Sequence, residues 1–129
     1  MRKSLALLAA SATLVVGPAT AAAASDGDDR GIERRGNCSG STDWKLDVKR
    51  DDGGLEVEFE VDSNRSGQVW RVRVYDNGDR VVRTRKVTRP PSGSFDVERN
   101  IADRAGEDRI VARARHLATG ELCRGVIRF

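Results

Sequence analysis

Between Leu55 and Asp62 every second residue is a large apolar one: Leu55, Val57, Phe59 and Val61 alternate with Glu56, Glu58, Glu60 and Asp62. Successive side chains of an extended chain point to opposite faces, whereas a helix would scatter these four around its circumference. The run therefore predicts a strand with one face buried and one in water. The same period recurs along the chain. Trp44, Leu46 and Val48 alternate with Lys45, Asp47 and Lys49, and Trp70, Val72 and Val74 with Arg71 and Arg73. Phe95 and Val97 alternate with Asp96 and Glu98, and Ile110, Ala112 and Ala114 with Val111, Arg113 and Arg115, while Leu122 to Phe129 reads as a final strand. Between these runs lie turn signals, of which Asp76-Asn77-Gly78-Asp79 carries Asn-Gly, the strongest short-range mark of a hairpin. Arg80 to Thr88 reads as a weaker strand, basic on both faces and closed by Arg89-Pro90-Pro91, which suits a sheet edge. Residues 100–108 read as a connection, with a helical turn over Val97–Arg104 as the alternative. The prediction is an all-β, seven-stranded sandwich, strands one, two and five in one sheet and three, six and seven in the other.

What precedes this pattern reads differently. Met1-Arg2-Lys3 is a short basic start, Leu5–Val16 is an apolar run, and Gly17-Pro18 leads into small residues ending at Ala24. A membrane span needs about 20 apolar residues, so residues 1–24 read as a secretory signal peptide and not as a transmembrane segment. Removing them from the 129-residue chain leaves 21 basic against 20 acidic residues, so the apparent net charge of +3 falls to +1. Residues 25–37, rich in charge and glycine, read as a flexible tail that cannot bury enough apolar surface to order itself. Residues 38–129 read as the folded domain, and the localisation expected is secreted, with surface association open.

The two cysteines, Cys38 and Cys123, stand near the ends of that domain. In an oxidising compartment an even count predicts a disulfide, here closing a loop of about 85 residues and contributing roughly 4 kcal/mol. A thiol nucleophile or a pair of metal ligands are the alternatives, but a metal site needs three or four ligands and His116 is the lone histidine.

Several residues together, Trp44-Lys45-Leu46, Glu56-Val57-Glu58-Phe59-Glu60-Val61-Asp62-Ser63, Gly93-Ser94-Phe95, Ala105-Gly106-Glu107-Asp108 and Thr119-Gly120-Glu121-Leu122-Cys123, carry a resemblance. Over roughly Cys38 to Phe129 the chain resembles small secreted actinobacterial proteins of unknown function with an immunoglobulin-like or fibronectin type III-like sandwich. The resemblance implies a fold and brings no activity, substrate or catalytic residue with it. Immunoglobulin-type domains bury a tryptophan of the third strand against a disulfide that crosses the core. Trp70 occupies the third strand here, but Cys38 and Cys123 would tie the sandwich at one end, so Trp70 is expected simply to pack.

On the predicted topology one outer face collects Glu56, Glu58, Glu60, Asp62, Asp96 and Glu98, diluted by Lys45 and Lys49, and the other collects Arg71, Arg73, Arg113 and Arg115, with either Arg124 and Arg128 or their neighbours on the last strand. Like charges directly opposite on neighbouring strands cost stability, so such segregation is not what solubility alone selects. The arginine face is the expected binding surface, because guanidinium forks match phosphate and carboxylate. Anionic cell-envelope polymers or a secreted protein are the expected partners. Nucleic acid is not, since Tyr75 is the only tyrosine and both tryptophans are placed inside, away from any stacking platform.

No catalytic motif is present, His116 lacks a recognisable nucleophile beside it, and Glu56, Glu58 and Glu60 share one strand face instead of flanking a cleft. Asp76–Asp79 and Asp26–Asp29 have the composition of calcium loops without the 12-residue ligand spacing. The sequence thus predicts a non-catalytic binding module with no metal and no cofactor. The alternative is an inhibitor of an extracellular hydrolase, presenting the proline-stiffened loop Thr88-Arg89-Pro90-Pro91-Ser92.

Overall fold

The computed structural model describes residues 31–129; the expected signal peptide and the stretch Ser25–Arg30 of the expected tail lie outside the described residues. Eight strands follow one another: β1 (Ile32–Asn37), β2 (Asp43–Asp51), β3 (Gly54–Asp62), β4 (Val69–Asp76), β5 (Asp79–Val87), β6 (Ser94–Ala102), β7 (Arg109–His116) and β8 (Leu122–Arg128). They form two antiparallel four-stranded sheets, ordered β1-β2-β3-β6 and β5-β4-β7-β8. Among the described residues the chain is all-β, the sheet assignment of the six anticipated strands that were given one holds, and the remaining one, the basic β5, lies at an edge as expected. The strand count is eight, not seven.

The additional strand is β1, within the segment that the sequence assigns to a flexible tail. Its residues (IERRGN) hide the strand because almost nothing on it is buried by its own side chains. Backbone pairing with β2, from Ile32↔Val48 to Asn37↔Asp43, holds it in place, and the bridge at Cys38 follows directly. On its inward side Gly36 lies opposite Trp44. A Cβ on Gly36 would stand 2.6 Å from the Trp44 ring, and one on Gly125 of β8 equally 2.6 Å from its other side. The indole thus fills the space between the first sheet's edge and β8, and both close approaches require glycine. Arg34, also on the inward side, stays exposed and blunts the edge against pairing with another chain.

The connection expected over residues 100–108 is shorter than the sequence suggests, since β6 pairs with β3 through Ala102↔Gly54 and no helical turn forms. Arg99, Asn100 and Ala102 give that end of the strand no apolar alternation, yet the β3 backbone templates it. The β4–β5 hairpin turns at Asn77 and Gly78, with φ of 49° and 89°, the left-handed pair that a two-residue turn demands.

The core lies between the sheets. Leu46, Val48, Leu55, Val57, Phe59 and Val61 come from the first sheet, and Trp70, Val72, Val74, Ile110, Ala112, Ala114 and Ile127 from the second. Each fully buried branched or aromatic side chain contributes about 1.5–3 kcal/mol. Trp70 is wholly buried, as expected of a packing residue, with its ring tilted on Phe95 and stacked at 5.0 Å on His116. Cys38 and Cys123 form a disulfide with Cα atoms 4.2 Å apart, tying the segment after β1 to β8. Glu121 reinforces this end by accepting hydrogen bonds from the backbone of Gly40 and Thr42 and from the Thr42 hydroxyl. The disulfide agrees with an oxidising compartment. Among the described residues no helix is long and apolar enough to cross a membrane.

Candidate functional site

Strand register decides which arginines meet. In the second sheet Arg73 of β4 pairs with Arg83 of β5 on one side and Arg113 of β7 on the other, and Arg113 pairs in turn with Arg124 of β8. Four arginines therefore form one rung across all four strands. The next rung holds Arg85, Arg71 and Arg115, and ends at Leu122. The four residues anticipated from sequence, Arg71, Arg73, Arg113 and Arg115, do come together at the centre of this face. Arg83, Arg85 and Arg124 complete it. Arg83 and Arg85 escape a sequence reading because β5 carries charge on both sides, and only the register, with its irregularity between Val74 and Tyr75, settles which residues face outward.

Among the described residues none of the seven guanidinium groups lies within ion-pair distance of a carboxylate, and none donates a hydrogen bond to protein. Other basic residues of the chain are engaged: Arg35 with Glu33, Arg104 with Asp76 and Asp79, Arg128 with Glu107. The Nε of Arg73 is buried without a partner. A hollow of about 350 Å³ is lined by Arg71, Arg73, Tyr75, Arg113, Arg115 and Leu122. It meets a second, of about 200 Å³, at Tyr75 and Arg113, which extends toward Arg109 and Arg124. The result is a shallow furrow along an arginine sheet, with one aromatic ring in its middle.

The opposite face of the molecule is acidic. Glu58 stands between Asp47 and Glu98 on neighbouring strands, and Glu60 faces Asp96. Burial, and then the surrounding carboxylates, push the Glu58 carboxyl above its ordinary value despite the nearby Lys45. Asp47 is pushed up in the same way, by burial and then by Glu33. Glu33 itself is held below the usual range by its hydrogen bond with Arg35. Carboxylate oxygens of Glu56, Glu58 and Glu98 come within 4.8 Å of one another, but Lys49 sits 3.6 Å from Glu56. A hollow of about 470 Å³ beside Trp44 is lined by mixed charges, Arg35 and Lys45 against Asp43, Glu60 and Asp62.

His116 is buried, stacked on Trp70, with Nδ1 2.8 Å from the Thr119 hydroxyl. That contact satisfies a ring nitrogen at a strand end. The loop after β5 is fastened on both flanks: Gly93 N–H donates to the Arg89 carbonyl, and Ser63 N–H donates to that of Gly93. Arg89, Pro90, Pro91 and Ser92 are left exposed between. No family model matches the chain, and neither the curated proteins nor the solved structures yield a match.

Proposed function

We propose that this protein is a secreted, non-catalytic binding module whose arginine face holds anionic polymers of the cell envelope, on an immunoglobulin-like sandwich of the kind found in small actinobacterial exported proteins. The observation carrying the proposal is the pair of directly paired arginine rungs with no protein counter-charge. A sheet whose only purpose was solubility would intersperse signs, as the first sheet does with Lys45 and Lys49. Seven unpaired guanidiniums at strand spacing, by contrast, are costly alone and become favourable when a multivalent anion lies across them.

The test is co-sedimentation of the purified protein with washed actinobacterial cell walls at low and at moderate salt. Binding should fall steeply with added salt, because each phosphate contact releases counterions. It should be lost when Arg71, Arg73, Arg113 and Arg115 all become Ser. Binding that ignores both salt and this variant would refute the assignment. The fastened, exposed Arg89–Ser92 loop favours a second reading, inhibition of an extracellular hydrolase. Inhibition of secreted hydrolases that survives moderate salt and falls in Arg89→Ala would support it.

A further inference from the structure

The first sheet carries a block of charge that mirrors the arginine block of the second. On β3 and β6, Glu58 lies directly opposite Glu98, and Glu60 directly opposite Asp96. On β4 and β7, Arg71 lies opposite Arg115, and Arg73 opposite Arg113. Each block is two strands wide and two outward residues long. Neighbouring strands stand about 4.8 Å apart and successive outward residues about 6.8 Å apart in an antiparallel sheet, so the two blocks share one spacing. All eight side chains are at least partly exposed. Among the described residues none of the eight has an ion-pair partner, since Lys45 and Lys49 beside the acidic block pair with Asp47 and Glu56.

Four carboxylates held side by side repel one another, as do four guanidiniums, and either block relieves the other when they meet. They cannot meet within one chain, because they lie on the outer faces of two sheets that pack through their inner faces. Between chains they can. Two sheets of the same twist stack face to face at a small angle, so one outer face accepts another as the inner faces already do. Stacking two four-stranded faces of this length buries about 1,000 Å² in total, near the lower limit for a specific interface. Such a contact is weak and depends on its charges.

We infer that the acidic block of one copy docks on the arginine block of the next, so that the partner these two faces fit is a second copy of this chain. The contact joins different surfaces of the two copies. Each pair therefore leaves one acidic and one arginine face free, and growth is open-ended. This inference does not rest on the binding of envelope polymers, although a polymer and a second copy would compete for the same guanidiniums.

The test is sedimentation equilibrium of the purified protein without polymer, at about 20 mM and about 200 mM salt and up to about 1 mM chain. In low salt the average mass should climb past that of a dimer as concentration rises, and the higher salt should weaken association at least about tenfold. Two variants locate the contact. One carries Glu58→Gln, Glu60→Gln, Asp96→Asn and Glu98→Gln, and the other Arg71→Ser, Arg73→Ser, Arg113→Ser and Arg115→Ser. Each alone should be monomeric, and their mixture should form a one-to-one dimer, since each keeps the block that the other lacks. A natural chain that stays monomeric in low salt overturns the inference whether or not either variant folds. So does a mass that levels off at a dimer, the sign of a contact between identical surfaces. It is equally overturned if the folded acidic-block variant associates as the natural chain does, or if the two folded variants fail to pair. Wall binding by a strictly monomeric protein would sink this inference and leave the envelope reading standing, and salt-sensitive self-association without wall binding would do the reverse.

Discussion

Replacing Arg73 with threonine should make the protein more stable and a poorer binder at once. Arg73 has directly opposite neighbours in Arg83 and Arg113, an in-strand neighbour in Arg71, and diagonal neighbours in Arg85 and Arg115. With charges roughly 6–8 Å apart in a water-like medium, each such contact costs about 0.5 kcal/mol before screening. Five of them amount to about 2.5 kcal/mol at low ionic strength, and to about 1 kcal/mol at physiological salt, where the Debye length is about 8 Å. The buried Nε–H, which has no acceptor, adds to the cost, on the order of 1 kcal/mol. Against this stands the packing of the arginine stem, which threonine forfeits in part although its β-branch suits a strand. The net expectation is a gain of about 1–2 kcal/mol in low salt that shrinks as salt is added.

Urea unfolding followed by tryptophan fluorescence, at about 10 mM and about 300 mM salt, measures both quantities. Added polyphosphate should raise the midpoint of the natural chain more than that of the variant. If Arg73→Thr loses stability at low salt, or if salt leaves the natural chain's midpoint unchanged, the arginine rungs are not mutually repulsive. The physical basis for reading them as an anion-binding face then fails.

The remaining predictions concern the scaffold and its titration. Reduction of Cys38–Cys123, or Cys38→Ser with Cys123→Ser, should cost about 4–5 kcal/mol by loop entropy, read as a lower urea midpoint. Gly125→Val should displace Trp44, whose Cζ3 lies 2.6 Å from the new Cβ position, costing about 2 kcal/mol and shifting tryptophan emission to the red while wall binding persists. Asp47, Glu58 and Asp108 all have carboxyls raised chiefly by burial, so the folded state keeps their protons to higher pH than the unfolded chain does. Stability should therefore climb as pH is lowered through the raised values toward about 4, and fall as pH rises back through them, the reverse of a salt-bridged carboxylate. Urea midpoints that drop on this acidification would contradict the assignment, and Glu58→Gln should flatten the slope.

How far the sequence could be read follows from what holds each strand. Where a strand buries its own alternate side chains, as β3 does with Leu55, Val57, Phe59 and Val61, the period of two announces it. Strand β1 buries almost nothing and exists because β2 offers a free backbone edge and Cys38 anchors the end, so no pattern in residues 32–37 can reveal it. The end of β6 is hidden for the same reason. The arginine face was half legible: parity along β4 and β7 puts Arg71, Arg73, Arg113 and Arg115 outside. That they stand directly opposite one another, and that Arg83 and Arg124 extend the same rung, is a matter of register between strands distant in sequence.

Register also separates the two charged faces into different kinds of surface. On the acidic side Lys45 lies opposite Glu60 and Lys49 opposite Glu56, so the rows of Glu60 and Glu56 each meet a lysine at β2, while the row between them, Glu33-Asp47-Glu58-Glu98, meets none. On the basic side the rungs run from β5 to β8 without one acidic residue. Composition cannot draw this distinction, because both faces carry comparable charge. Self-repulsion left uncompensated on one face, and partly neutralised on the other, is the physical ground for assigning contact with an external anion to the arginine sheet.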